Sequence, residues 1–67
     1  MKRSIPRLFA DITAALEDMH SIAIEGQRRD NALDMQVALA GHLREGVRGL
    51  DATVLALAKR LGGVRVD

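Results

Sequence analysis

Residues 33–61 read LDMQVALAGHLREGVRGLDATVLALAKRL, and their apolar side chains recur with a period of seven. Leu33, Ala40, Val47, Val54 and Leu61 form one row, while Leu43, Leu50 and Leu57, extended by Val64, form the row beside it. Alternating steps of three and four residues keep both rows on one side of an α-helix, the pattern of a helix that packs lengthwise on a helical partner. The register passes through Gly41, Gly46 and Gly49 without a slip, whereas a true break would reset its phase. One long second helix over about residues 32–62 is therefore the expectation. Each helical glycine costs about 1 kcal/mol relative to alanine, and Asp51 is a usable cap for a third helix. Three short helices with a break at Gly46-Gly49 is the alternative.

Working outward, residues 5–26 carry Ile5, Leu8, Phe9, Ile12, Ala15, Leu16, Met19, Ile22 and Ala23 at helical spacing. This predicts a first helix over about residues 6–25 with one broad apolar face. Ser4 or Ile5 suits its N-cap, Pro6 its first turn, and Gly26 a left-handed C-terminal position. Residues 26–31 form a polar connection in which Asp30 or Asn31 is the expected cap of the second helix. The fold class is thus all-α, a helical hairpin in a single domain over residues 1–67.

The lengths of the two helices are unequal, about 30 and 45 Å at 1.5 Å per residue. The run Ala52–Ala58 is expected to project beyond the first helix and to need a partner. A chain of 67 residues buries only about 60% of its unfolded surface, and without cysteine it has no disulfide to compensate. Self-association into a homodimeric antiparallel four-helix bundle follows, with Val47, Leu50, Val54, Leu57 and Leu61 at the interface. Gly46, Gly49, Ala52 and Ala56 form a stripe of small residues where a second backbone could approach, which adds the two glycines to the expected interface.

Composition excludes several classes of function. Ten basic against nine acidic residues give a net charge of +1, far from the basic excess of proteins that live on phosphate backbones. Phe9 is the sole aromatic residue, which leaves no stacking platform for bases. No apolar run approaches the roughly 20 residues of a membrane span, and no signal-peptide core follows the basic start. A cytoplasmic location is expected, and eight Arg, two Lys and ten Ala suggest a GC-rich bacterial source. Beyond Arg7 the first helix carries Asp11, Glu17, Asp18 and Glu25 with no Lys or Arg before Arg28. Asp11, Asp18 and Glu25, seven residues apart, flank its apolar stripe opposite Arg44, Arg48 and Arg60 of the second helix.

No nucleophile–base set, phosphate-binding loop or metal-ligand cluster is present, so no catalytic residue, cofactor or metal is expected. Glu17 and His20 have the Glu-x-x-His spacing of carboxylate-bridged metal bundles, but Glu17 lies opposite the seam. His42 with Gly46 four residues later resembles the phosphate-accepting turn of histidine phosphotransfer domains, although Arg44 and Glu45 depart from the pattern of that family. Residues 45–58, through Val47-Arg48 and Ala52-Thr53-Val54, also resemble the dimerising helix of bacterial sensor kinases, with Glu45 in place of the histidine. Residues 49–61 are similar to the second helix of the sporulation aspartyl-phosphate phosphatases, which are helical hairpins too. Their polar signature is replaced here by Ala58, Lys59, Arg60 and Gly62, so the resemblance implies helical patterning and not activity.

The function expected from these residues is that of a non-enzymatic interaction module, regulatory or adaptor-like, that pairs with itself or offers its second helix to a protein partner. A Rop-like RNA-binding regulator, with Arg28 and Arg29 at the hairpin tip meeting phosphates, is the alternative. Its acidic first helix opposes that use.

Overall fold

The computed structural model describes residues 3–62, so Lys2 and Val64 lie outside the described residues. It is all-helical, with α1 spanning Ile5–Gly26 and α2 spanning Leu33–Arg60 in a hairpin. The hydroxyl of Ser4 accepts a hydrogen bond from the Arg7 amide at 3.2 Å, and Pro6 occupies the first turn of α1. α2 is unbroken through Gly41, Gly46 and Gly49, so the three-helix arrangement does not occur.

Three local expectations are corrected. Gly26 is the last residue of α1, and Gln27 closes the helix with a right-handed backbone, φ −81°. The only positive φ among the described residues is at Gly62, just past the C-cap of α2, where φ is +71°. Neither Asp30 nor Asn31 caps α2: the cap is Ala32, which has no side-chain acceptor to offer. Asn31 instead donates its amide to the Glu25 carbonyl at 2.8 Å, and Asp30 pairs with Arg28 at 3.1 Å. The polar connection therefore finishes α1 and leaves the start of α2 to Asp34, whose Oδ1 accepts from the Met35 amide at 2.9 Å.

Between the helices runs a seam in which Leu8, Ile12, Ala15, Met19 and Ile22 face Leu39, Leu43, Gly46, Leu50, Thr53 and Leu57. On α2 the row of Leu43, Leu50 and Leu57 belongs to this seam, as its period requires. Its companion row in the seam, however, is Leu39, Gly46 and Thr53 and not Val47 and Val54. The register follows from size, because Met19 fills the volume in front of Gly46. Thr53 is tolerated in an apolar seam because its hydroxyl donates to the Gly49 carbonyl at 3.1 Å, leaving its methyl for packing.

This register also relocates the surplus length of α2. Ala52, Thr53 and Ala56 lie beside Leu8 and Asp11, and Arg60 donates to the Arg3 carbonyl, so the Ala52–Ala58 run lies alongside α1 and does not project. What exceeds α1 is the first turn of α2 at the connection end, where Leu33 is exposed. A C-terminal overhang would have withdrawn Leu57 from α1, and Leu57 is, with Leu8, one of the two buried residues among those described.

Candidate self-association face

Each helix carries one more apolar row than the hairpin uses. Around α2 the rows run in the order Leu39/Gly46/Thr53, Leu43/Leu50/Leu57, Ala40/Val47/Val54/Leu61, and then Arg44/Asp51, as the heptad geometry dictates. Around α1 the corresponding order is Leu8/Ala15/Ile22, Ile5/Ile12/Met19, Phe9/Leu16/Ala23, and then Thr13/His20. The first row of each set lies in the seam, and the second is shared. The third row is open: Phe9 is 52% exposed, Leu16 51%, Val47 53%, Val54 44% and Leu61 60%.

Both open rows lie on the same side of the hairpin. A shallow groove on the opposite side is lined by Leu8 and Asp11 of α1 with Ala52 and Ala56 of α2, which fixes those residues to one flank. Two antiparallel right-handed helices then turn Phe9 and Leu16 to the other flank together with Val47 and Val54. The result is a continuous apolar face with the shared row Leu43, Leu50 and Leu57 as its floor.

The two flanks differ in chemistry as well as in shape. Asp11 takes ion pairs from Arg3 and from Arg7, the latter at 3.4 Å, so the acid nearest the seam is satisfied within its own helix end. Arg28 pairs with Asp30 and with Glu25 at 3.3 Å, and Arg48 pairs with Glu45 at 3.6 Å. The expected pairing of Asp11, Asp18 and Glu25 with Arg44, Arg48 and Arg60 is absent among the ion pairs of the described residues. Hydrogen bonding to Asp30, followed by the charge of Glu25, raises the pKa of Arg28 above its ordinary value.

The residues expected at an interface are therefore divided. Val47, Val54 and Leu61 are on the open face, and Leu50 and Leu57 are in the shared row, serving the hairpin first. Gly46 lies inside the seam against Met19. Gly49 lies on the opposite flank, and a Cβ built there would meet nothing within 4 Å. Phe9 and Leu16 were legible as apolar helix positions but not as part of the same face, because which side of α2 receives α1 is not encoded in either helix alone.

Glu17 and His20 border a shallow surface dent on α1 with Leu16. Among the described residues no three His, Asp or Glu side chains gather within reach of one metal ion. His42 is exposed on α2. No described helix is long and apolar enough to cross a membrane. No protein-family model matches the chain, and neither does any curated protein or solved structure.

Proposed function

We propose that the chain is a self-associating helical interaction module that works as a homodimeric antiparallel four-helix bundle. The observation that carries this reading is the apolar face bounded by Phe9 and Leu16 on one helix and Val47, Val54 and Leu61 on the other. Fully burying such a side chain is worth about 1.5–3 kcal/mol, and in the hairpin alone roughly half of that is forgone at each of the five. Two buried leucines among the described residues are a small core for a cooperative fold, and pairing the two open faces supplies the rest. The face is about 33 Å long, the length of α1, and about 20 Å wide across two helices. Its footprint of roughly 650 Å² approaches the ~800 Å² per partner of a standard stable interface.

The biological use supported by this arrangement is scaffolding or regulation through protein contacts, since the surface with binding potential is apolar and shaped to take helices. Equilibrium sedimentation tests the reading. A dimer is expected throughout the micromolar range, and Val54→Asp should dissociate it. A folded 7.3 kDa monomer across that range would overturn the proposal.

A further inference from the structure

Pairing two copies of the open face leaves two symmetric solutions, and the charges at its edges distinguish them. In one, the hairpin tips lie at the same end and α1 covers the partner's α2. In the other, the tips lie at opposite ends, so that α1 covers α1 and α2 covers α2. Resting on the self-association reading, we infer that the occupant of the face is a second copy with its tip at the opposite end, and that Arg44 and Asp51 set this orientation.

Arg44 and Asp51 are exposed, seven residues apart, and follow the Val47/Val54 row on the outer edge of α2. Neither has an ion-pair partner among the described residues, in contrast to Arg28, Arg48 and Asp11. They stand about 10.5 Å apart along their own helix, too far for direct pairing. When α2 lies antiparallel on a second α2, the edge of one is reversed against the edge of the other. Arg44 then falls beside the second copy's equivalent of Asp51, and Asp51 beside the equivalent of Arg44. The edge is self-complementary only in that orientation, and the pair occurs twice by symmetry.

With the tips at the same end, the α2 edge would meet the α1 edge of the other copy, which carries Thr13 and His20. Glu17, which borders the same dent as His20, would then be the nearest carboxylate to Arg44, and Asp51 would be left beside Thr13 without a base. That arrangement would also gather both open ends of the hairpins, each with Arg3, Arg7, Lys59 and Arg60 against the single acid Asp11. Eight bases against two acids leave six net positive charges at one end of the bundle, which opposes assembly. Opposite orientation sets each basic end beside a tip that carries Glu25, Asp30 and Asp34 against Arg28 and Arg29.

Two measurements test the orientation. The chain has no cysteine, so Arg29→Cys carries a single spin label at the tip without further change. Tips at opposite ends of α2 should give a label distance of about 40 Å or more, whereas tips side by side would give about 25 Å or less and overturn the inference while leaving self-association intact. In the second measurement, Arg44→Asp and Asp51→Arg should each weaken dimerisation about tenfold, since two attractive pairs become repulsive. The double charge swap should restore affinity to within about threefold, as rescue between copies requires. Single variants that dimerise as well as the parent would overturn the role of this edge. A monomer by sedimentation with no measurable label distance would instead remove the self-association reading itself.

Discussion

Met19 occupies the space that Gly46 leaves open: a Cβ at position 46 would stand 2.9 Å from Met19 Cγ and 3.3 Å from its sulfur. The pair locks the register of the hairpin, because a slip of one turn would bring Met19 against a side chain where it now meets bare backbone. Gly46→Ala should therefore lower stability by about 1 kcal/mol, overpacking of about 1–3 kcal/mol exceeding the propensity gain of about 1 kcal/mol. Combining it with Met19→Ala should cost less than the sum of the two changes, with a coupling of at least about 0.5 kcal/mol. Denaturant melts of the four proteins measure this, and strict additivity would show that the contact does not set the register.

Gly49 behaves in the opposite way. Its α-carbon faces open space on the flank away from the apolar face, so Gly49→Ala should raise stability by about 1 kcal/mol through helix propensity alone. Dimer affinity should be unchanged. Thermal melts at two protein concentrations distinguish the cases, because a shift that grows on dilution would place Gly49 at an interface.

The N-terminus of α2 is undercapped. Ala32 already has the extended backbone of an N-cap, φ −71° and ψ 159°, without an acceptor side chain. Ala32→Ser or Ala32→Asp should add about 0.5–1 kcal/mol, slightly below the usual value because Asp34 already serves one amide. An unchanged melting temperature would mean that the first turn is satisfied by water at no cost.

Gly62 ends α2 with its amide donating to the Lys59 carbonyl at 3.0 Å and a left-handed backbone. Gly62→Ala should cost about 1 kcal/mol because a Cβ disfavours that conformation. Calorimetry that shows no loss would indicate that the last turn refolds without the glycine.

Binding to duplex or hairpin RNA at physiological salt should be no tighter than the non-specific range of about 10⁻⁴ to 10⁻⁶ M. Arg28, one of the two bases at the tip, is already committed to Asp30 and Glu25. A nanomolar affinity lost on replacing Arg28 and Arg29 by alanine would favour the RNA-binding alternative.

The helical hairpin was legible because the leucine row of α2 and the 3.6-residue period of α1 each define one apolar side without reference to the other. What the period could not decide is which neighbour of the leucine row receives α1. Hydrophobicity favours Val47 and Val54, but closeness of approach favours Gly46 and Thr53, and the hairpin takes the side where Met19 can sink to the backbone. That choice is a matter of shape between two segments, invisible in either. The misplaced caps have a similar origin, since Asp30 and Asn31 are good caps in isolation but found stronger partners in Arg28 and the end of α1. Val47, Val54 and Leu61 were recognisable as residues in need of cover, whereas Phe9 and Leu16 join them only through the handedness of the hairpin.

The burial of Leu8 and Leu57 at the end of the hairpin far from the connection bears on how the molecule opens. Closing a short turn costs little chain entropy, so pairing begins at the tip and advances toward the free ends. Helix ends normally fray first and independently of the rest. Here the deepest packing acts as a clasp at the end where fraying would start, reinforced by Arg60 on the Arg3 carbonyl. Opening that end exposes most of the buried core at once, so local fraying and global unfolding become nearly the same event. Amide hydrogen exchange along both helices should then converge on a common rate and not grade from the tip to the open end.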